Sequence, residues 1–418
     1  MRICIFEDSG WINLTPLSYL RPVFELRCGF HTLLDRVLPR LPGTKVSLYV
    51  RDYLTGLVKK KYPFPVNDPE TFENDVLLVN GRWLITGEAP MDTTREAGHV
   101  TGNSLVYALV RRENIRRLWN GSLDQLVADI LSNLPKVPVQ AIMIDYPWQL
   151  IHHNPSVLRE DFTATGLRGL QGKLASQAII YGPTDLVYLA AGAEVHPLVV
   201  LDTNSGPIYI EEKAKILPNA RVEGPCYIGA KTEIMPGASI REGNSFGPLC
   251  KVGGEVEESI FHGYSNKYHD GFIGHSYIGE FVNLGALTTN SDLKNDYSTV
   301  SVPVNGTLVD TGELKVGSFF GDHTKTSIGT LFNTGSSIGV MCNITAGGIL
   351  PKFFPSFVWY VNNKFMKGFG LEMMIETARS AMARRKRELS SEEESAIRTV
   401  YELTREMRQT MIRKSRRT

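Results

Sequence analysis

Aliphatic residues recur at every sixth position in the middle of the chain. The run begins with Ile210, Ile216, Val222, Ile228, Ile234 and Ile240. A period of six fits neither an α-helix, which repeats every 3.6 residues, nor a strand, which alternates every two. It is typical of a parallel β-helix, in which each short rung turns a corner and buries one aliphatic side chain. The pattern therefore predicts a hexapeptide-repeat β-helix over residues 171–355.

The hexad pattern is interrupted twice. It continues through Phe246 and Val252, and it resumes in two further series at Phe272, Ile278 and Leu284, and at Phe332, Ile338, Ile344 and Leu350. The interruptions cover Ile260 to Gly271 and Leu287 to Gly317. Because a solenoid accommodates insertions where a corner bulges outward, we expect two loops at these places. Such loops commonly carry function.

The segment 1–170 alternates strand-like apolar runs with helical stretches. The strand-like runs are Ile3 to Phe6, Lys45 to Val50, Asp75 to Val79, Ser104 to Val110 and Val139 to Ile144. The helical stretches are Phe30 to Leu38 and Leu123 to Leu134. This order predicts an α/β domain with a largely parallel sheet, whose ligands bind at the carboxyl ends of the strands. Residues Leu158 to Gln177 are expected to connect this domain to the coil.

Residues 356–418 are predicted to form a helical tail. Leu371, Met374, Ile375, Ala378 and Met382 form one apolar stripe at helical spacing. Ser391 and Glu394 have the spacing of a capping box, which predicts the start of the last helix.

Composition narrows the class of protein. The formal net charge is +1, so no polyanionic partner such as nucleic acid is expected. The apolar start of the chain soon meets Glu7 and Asp8, and no longer apolar run follows. We therefore expect no signal peptide, no membrane association and a cytoplasmic location. The five cysteines are scattered without a Cys-x-x-Cys pair, which argues against disulfides and a thiolate zinc site.

A polar segment at the first interruption carries the strongest chemical signal. It reads Gly263-Tyr-Ser-Asn-Lys-Tyr-His-Asp-Gly-Phe-Ile-Gly-His-Ser-Tyr-Ile-Gly-Glu-Phe-Val-Asn-Leu-Gly-Ala. This segment resembles the acetyltransferase domain of the bifunctional N-acetylglucosamine-1-phosphate uridyltransferase and glucosamine-1-phosphate N-acetyltransferase family. The chain is most similar to a shorter bacterial variant, which also shares the runs Asp292-Leu-Lys-Asn, Gly321-Asp-His and Pro351-Lys-Phe.

The resemblance implies a divergent, Rossmann-like sugar nucleotidyltransferase-like α/β domain over residues 1–170, followed by a left-handed β-helix. It also implies acetyl-CoA as co-substrate and a homotrimer with active sites between subunits. His269 falls on the general base of the family, and an imidazole that titrates near neutrality suits the removal of a proton from an amine. Phe272 and Asn283 fall on sugar-contacting positions. The remaining expected substrate ligands are Arg241, Asn266, Lys267 and Lys294, since a sugar phosphate calls for charge-assisted donors. The acyl-CoA is expected along the coil near Ala286, Asp322 and Val340.

Plainer explanations exist for the same residues. A single His in a loop is often structural, and His275 is equally explained as a packing or turn residue. His262, His269 and His275 could also suggest the three-His zinc site of γ-carbonic anhydrases. That family has a His-x4-His pair, whereas the intervals here are seven and six. We therefore expect no metal at this place.

The first domain departs from the resembled family at its phosphate-binding loop. Full uridyltransferases have a Gly-rich loop there, but Gly10 is the only glycine retained, and Val23 follows Pro22 where the family has Lys. Asn80-Gly81-Arg82 stands where the family places a Gly-Asp pair that holds magnesium. Two segments keep the likeness, Tyr146-Pro-Trp-Gln-Leu and the stretch from Leu17 to Gly29.

Two interpretations of this domain remain. In one, it transfers a nucleotide from UTP through a rearranged site that uses Asp8, Arg21 and Arg27, with Mg²⁺ needed only if this site is active. In the other, it binds a sugar nucleotide or merely caps the coil, and the two arginines pair with Glu25 or Asp8.

The function implied is acetyl-CoA-dependent N-acetylation of an amino-sugar 1-phosphate, and the resemblance leaves open a coupled formation of a UDP-sugar. The alternatives are nucleotidyl transfer without acyl transfer and a non-catalytic scaffold that binds sugar nucleotides.

Overall fold

Apolar runs at the start of the chain build one mixed sheet. The computed structural model describes residues 1–41, 45–88, 91–345 and 347–416. The six strands of this sheet, in spatial order, are Lys45–Tyr49, Arg2–Phe6, Val76–Asn80, Ser104–Val110, Ala97–Thr101 and Lys136–Pro138. The first three are mutually parallel, so that their carboxyl ends meet at Phe6, Tyr49 and Asn80. Ser104–Val110 runs antiparallel to both of its neighbours, while the other five strands share one direction, so the sheet is largely parallel as predicted.

Two predicted segments of this domain differ from the structure. Val139 to Ile144 is not one strand, because Lys136–Pro138 joins the main sheet while Ile142–Met143 pairs with Trp83–Leu84 in a separate ribbon. Leu158 to Gln177 is not a plain connector either. Its first part belongs to a long helix that ends at Thr165, and the coil begins at Gly169–Leu170.

Eight α-helices are seen in the described ranges. They are α1 Leu33–Val37, α2 Thr55–Lys61, α3 Arg112–Leu118, α4 Leu123–Asn133, α5 Pro147–Thr165, α6 Leu371–Ala383, α7 Ser391–Leu403 and α8 Arg405–Ser415. Short 3-10 turns cover Ser9–Leu14, Val23–Glu25, Leu38–Arg40, Asp52–Leu54, Pro69–Glu73 and Thr184–Leu186. A small ribbon pairs Arg27–Cys28 with His31–Thr32.

The hexad region forms a parallel β-helix with three faces. The first face has ten strands: Gly169–Leu170, Val187–Leu189, Ile208–Ile210, Cys226–Ile228, Asn244–Phe246, Ile260–Gly263, Tyr277–Glu280, Ser318–Phe320, Ser336–Ile338 and Phe353–Phe354. The second face has Lys173–Leu174, Glu194–Val195, Lys215–Ile216, Glu233–Ile234, Lys251–Val252 and Asn266–Lys267, and farther along Lys325–Thr326, Asn343–Thr345, Trp359–Val361 and Lys364–Met366. The third face has Ile179–Tyr181, Val200–Asp202, Arg221–Glu223, Ser239–Ile240, Glu255–Glu257 and Phe272–Gly274, followed by Thr289–Asn290 and Leu331–Phe332.

The aliphatic hexad supplies the interior of this coil. Ile210, Ile216, Val222, Ile228 and Ile234 all have 0% of their surface exposed and share one cluster. Each of them stacks on the equivalent residue of the next coil, so the pattern is confirmed as the signature of the core. The predicted architecture is confirmed: an α/β domain, a hexapeptide parallel β-helix and C-terminal helices. The division at residues 170 and 355 remains our proposal.

The two interruptions have different causes. A regular coil leads from Cys226 to its register partner Asn244. The coil from Ser245 to Ile260 is shorter than this, and so is the next one, which leads from Ile260 to Tyr277. The expected loop at Ile260 to Gly271 is therefore wrong, because the hexad fails there through shortened coils.

The second interruption is a true insertion. The step from Tyr277 to its partner Phe319 is more than twice as long as a regular coil, and it contains a hairpin. The strands of this hairpin are Ser301–Val304 and Thr307–Asp310. The expected loop at Leu287 to Gly317 is thus confirmed.

The C-terminal helices fold back against the coil and the first domain. The predicted stripe of α6 is buried at Met374, Ile375, Ala378 and Met382. The capping box lies one residue earlier than predicted, because the Ser390 hydroxyl accepts from the amide of Glu393 at the start of α7. The helix α7 is not the last one, since α8 follows. No helix in the described ranges is long and apolar enough to span a membrane.

Candidate active-site groove

Stacked coils place a row of polar side chains along the second face. Lys251 pairs with Asn266, Asn266 with Asn283, and Asn283 with Lys325 in parallel register. Because equivalent positions of successive coils point the same way, these side chains form one outward row. The Nδ2 of Asn266 donates to the Oδ1 of Asn283 over 2.8 Å. The predicted residues Asn266 and Asn283 are therefore direct neighbours.

Helix α6 closes this row into a groove of about 600 Å³. Its lining is rich in basic side chains, namely Lys251, Lys325, Arg384 and Arg385. Among the described residues that line the groove, none is Asp or Glu. Lys251 forms a salt bridge of 2.8 Å with Glu233, which does not line the groove. The guanidinium groups of Arg384 and Arg385 form no salt bridge with an acidic side chain in the described ranges. Burial lowers the pKa of Lys325 to about 8. The groove thus presents positive charge suited to an anionic ligand.

His269 lies at the edge of the groove with its imidazole exposed. It follows strand Asn266–Lys267 at the corner between the second and third faces. Its ring lies 5.0 Å from the ring of Tyr268, which also lines the groove. An exposed imidazole next to bound substrate can take up and release a proton. The structure therefore brings together three of the predicted residues, His269, Asn266 and Asn283.

Lys267 does not face the groove. Its register opposite Val252 places it at an inward position, and only 1% of its surface is exposed. Its Nζ donates to the carbonyl of Gly253 over 3.2 Å and also to the carbonyl of His269. Burial lowers its pKa to about 8, although Asp270 opposes the shift. In this chain Lys267 holds the backbone of the corner that carries His269.

Phe272 and Lys294 line a different groove, of about 740 Å³, on the third face. The Nζ of Lys294 donates to the hydroxyl of Ser298 at 2.7 Å and to the carbonyl of Thr299 at 2.8 Å. Arg241 lies on the same face and pairs with Glu257 at 3.1 Å and Glu255 at 3.5 Å. These three predicted ligands are therefore not among the residues of the same chain that line the groove of His269.

The residues expected to bind acyl-CoA are dispersed. Val340 is fully buried, and its amide donates to the hydroxyl of Ser356 at 3.0 Å. Ala286 lies at a coil corner, where its carbonyl accepts from the amide of Gly329. Asp322 is buried, and burial raises its pKa to about 6 against the opposing charge of a nearby arginine.

The two other histidines near the motif are structural in their contacts. The Nδ1 of His275 lies 2.8 Å from the Oδ2 of Asp292, and its Nε2 lies 3.4 Å from Glu258. Although burial opposes the charge, hydrogen bonds to these carboxylates raise the pKa of His275 to about 9. The Nδ1 of His262 lies 2.9 Å from the hydroxyl of Tyr277. No group of three or more His, Cys, Asp or Glu within the described ranges could hold a metal ion.

Asp8 lies at the carboxyl end of strand Arg2–Phe6, and its carboxylate is fully engaged. Arg82 donates to both oxygens at 2.7 Å, and Asn80 donates to one of them at 2.8 Å. Against burial, Arg82 holds the pKa of Asp8 below its usual range. A Cβ on Gly10 would lie 2.6 Å from the guanidinium of Arg82. The cation of Arg82 thus occupies the turn after the first strand, and these residues do not fit a magnesium ion at Asp8.

The other two expected nucleotide ligands are also engaged within the protein. The Nη2 of Arg21 donates to Asp322 at 2.8 Å. The Nη1 of Arg27 donates to the carbonyl of Phe30, and the backbone amide of Arg27 donates to the hydroxyl of Tyr277 at 2.9 Å.

Sequence reasoning missed the basic lining of the groove and the role of Arg82. Lys251 and Lys325 could have been found from the coil register, because they fall on the row of Asn266. Arg384 and Arg385 directly follow the apolar stripe of α6. Nothing in the sequence shows that this helix lies against the second face.

Comparisons with known proteins find one family match, two sequence relatives and several structural neighbours. Residues 3–167 match the family model described as sugar nucleotidyl transferase. A bifunctional sugar-1-phosphate nucleotidylyltransferase/acetyltransferase of Sulfurisphaera tokodaii is 35% identical over 98 residues, and the bifunctional protein GlmU of Methanocaldococcus jannaschii is 32% identical over 98 residues. Each match covers 23% of this chain and 24% of the relative, so the chain aligns with about a quarter of the length of these relatives.

Two solved structures align with 54% of this chain each. A UDP-N-acetylglucosamine acyltransferase is 15% identical with a TM-score of 0.21, and 86% of that chain is covered. The UDP-N-acetylglucosamine acyltransferase of Campylobacter jejuni is 13% identical with a TM-score of 0.19, and 95% of that chain is covered.

Proposed function

We propose that the chain acts on a sugar phosphate, because residues 3–167 match the sugar nucleotidyl transferase family model. We further propose that its coil transfers an acetyl group from acetyl-CoA to the amine of that sugar. One observation carries the proposal. The exposed imidazole of His269 lies at the edge of a groove whose charged lining is entirely basic. Both proposed substrates are anionic through their phosphates, and the reaction between them needs a base near the attacking amine of the sugar.

The proposed reaction uses His269 as a general base. The sugar nitrogen attacks the thioester carbonyl, a C–N bond forms, and the C–S bond breaks. His269 accepts the proton that the nitrogen loses and returns it to the leaving sulfur, so that free CoA thiol is released. Its exposed position lets the imidazole reach a substrate in the groove.

The other groove residues have separate roles in this proposal. The amides of Asn266 and Asn283 donate to and accept from sugar hydroxyls. Arg384 and Arg385 bind phosphate, since their guanidinium groups have no acidic partner in the described ranges. Lys267 positions the corner of His269 through its bond to the carbonyl of that residue.

We further propose a homotrimer in the cytoplasm. The third-face residues Phe272 and Lys294 lie outside the groove of the same chain. A second copy packed against the coil corner could bring equivalents of these residues toward His269. In this arrangement Phe272 and Lys294 of one subunit would contact substrate in the groove of another subunit.

Nucleotidyl transfer onto a sugar 1-phosphate is a second candidate function, which the family match of residues 3–167 favours. Because Arg82 and Asn80 occupy the oxygens of Asp8, magnesium bound to Asp8 is not part of this candidate function. A sugar-nucleotide scaffold without catalysis is the remaining alternative.

A single assay separates these functions. The protein is mixed with acetyl-CoA, glucosamine 1-phosphate and UTP, and thiol and pyrophosphate release are recorded in parallel. We expect thiol release that falls at least about a hundredfold in His269→Ala. The matched control is His196→Ala, because His196 lies on the second face beside Glu194 and outside the groove. Acetylation undiminished in His269→Ala would refute the mechanism, and pyrophosphate release alone would support the second candidate.

A further inference from the structure

A second cavity of about 600 Å³ lies where the three parts of the chain meet. Its wall takes Arg21, Glu25 and Leu57 from the first domain, and Phe281 and His323 from the coil. Leu389, before α7, closes it from the C-terminal segment. We call this space the interdomain cavity. It is distinct from the groove of His269, although the buried ring of Phe281 lies in the wall of both.

The basic side chains in this wall are already paired with acidic ones. Its basic residues are Arg21, Lys60, Lys61 and Arg387. Its acidic residues are Glu25, Glu280, Asp322, Glu388 and Glu393. Arg21 pairs with Asp322 at 2.8 Å, Lys61 with Glu25 at 2.6 Å, and Arg387 with Glu393 at 2.8 Å. An anion such as phosphate would therefore meet acidic side chains at least as often as free cations.

The hydrogen bonding of the same wall is incomplete. Three lining side chains each keep one buried polar atom without a partner among the described residues, namely the Nη1 of Arg21, the Oε1 of Glu25 and the Nδ1 of His323. These residues are 4%, 2% and 8% exposed. Buried polar atoms in folded proteins nearly always have partners, and each exception calls for a missing molecule or a functional role. A ligand that completes this hydrogen bonding must donate to the carboxylate of Glu25 and accept from the guanidinium of Arg21.

Apart from Ser390, the rest of the wall is apolar. Leu20, Leu57, Phe281, Leu389 and Ile397 contribute to it. Binding cavities for small molecules usually combine such an apolar lining with a few polar groups that fix orientation. A hydroxyl group both donates and accepts, so it can satisfy Glu25 and Arg21 without adding charge.

We propose that the interdomain cavity binds an uncharged, hydroxyl-rich small molecule of one or two sugar rings. The hydroxyls bond to Arg21, Glu25 and His323, and the C–H faces of the ring lie against the leucines. The ligand contacts the first domain, the coil and the segment before α7 together, so its binding holds these three parts in one arrangement. This inference does not depend on acyl transfer at His269.

The test uses N-acetylglucosamine as a neutral probe and the full-length protein. Binding is measured by calorimetry on the wild type, His269→Ala, Leu57→Trp and Leu57→Met. Leu57→Trp fills the cavity with an apolar ring, and Leu57→Met keeps the volume of the wild-type side chain. The unfolding midpoint of each variant is measured first, so that only folded proteins enter the comparison.

We expect binding that is unchanged in His269→Ala and Leu57→Met and at least about tenfold weaker in Leu57→Trp. Hydrogen exchange of the wild type should slow at residues 20–25 and 387–397 when the probe is added. Absence of binding to the wild type, or binding lost in His269→Ala and kept in Leu57→Trp, would overturn the proposal. Inorganic phosphate is the second probe, and a phosphate affinity that Leu57→Trp abolishes would overturn the assignment of an uncharged ligand.

Discussion

The Nη2 of Arg21 donates to the Oδ2 of Asp322 over 2.8 Å, and both side chains are buried. One residue comes from the first domain and the other from the coil, 301 positions later. The sequence suggested a nucleotide ligand for Arg21 and an acyl-CoA contact for Asp322. In the structure the two side chains instead form a buried ion pair that fastens the domain to the coil.

Removal of one partner should destabilise this junction strongly. Arg21→Met leaves the Asp322 carboxylate buried without a counter-charge, which costs about 3–5 kcal/mol. Urea unfolding of the variant should show this loss, and the double variant Arg21→Met/Asp322→Leu should recover much of it because no charge stays buried. Lys215→Met is the control, since its pair with Glu194 is exposed and contributes less than about 1 kcal/mol. An unchanged midpoint in Arg21→Met would contradict the role of the pair.

His275 should make stability fall at alkaline pH. Folding raises its pKa from about 6.5 to about 9, so the folded state holds this proton more tightly than the unfolded state. The stabilisation is complete below about pH 6.5 and is lost as the pH rises through about 9. Its full size is about 3 kcal/mol. Unfolding free energies of the wild type and His275→Gln are compared at about pH 6 and about pH 9.5, on either side of this window. Lys267 and Lys325 titrate alike in both proteins, so the difference in unfolding free energy between them isolates His275. If this difference does not change with pH, the prediction is contradicted.

Lys267 should affect catalysis more than stability. It stands at an inward position where other coils have Val252 or Ile234, so Lys267→Met fits the interior without a buried amine. The carbonyl of His269 then loses its donor, and the corner is less well fixed. We expect kcat for acetyl transfer to fall about ten- to hundredfold while the urea midpoint is unchanged or higher. The control Val252→Met alters the same stack without touching His269. Full activity of Lys267→Met would contradict a positioning role.

The architecture could be predicted because a β-helix is built from local periodicity. Each hexad residue such as Ile228 contacts its equivalent one coil away, so the repeat itself encodes the core. The site was only partly predictable. His269, Asn266 and Asn283 lie within one or two coils of each other, and the motif was sufficient to group them. Arg385 reaches the groove from a distant part of the chain, through packing of α6 that no local pattern specifies.

The same limit applies to the first domain. Asp8 looked like a ligand for phosphate or metal because it ends a strand. Its partner Arg82 lies 74 residues later, at the end of a neighbouring parallel strand. Sequence placed Arg82 at the expected magnesium position, but only the structure shows that its guanidinium binds both oxygens of Asp8.

The charge of the groove should set substrate affinity rather than the chemical step. Arg384→Gln and Arg385→Gln remove guanidinium groups that line the groove and have no acidic partner in the described ranges. If they bind phosphate groups in the ground state as well as the transition state, each variant should raise KM about tenfold and leave kcat nearly unchanged. The wild-type KM should rise with ionic strength, and it should rise less steeply in the variants. Arg379→Gln is the matched control, because Arg379 lies on α6 but pairs with Glu394 outside the groove. A fall in kcat with KM unchanged would place these arginines in the chemical step, and no change at all would contradict the groove as the binding site.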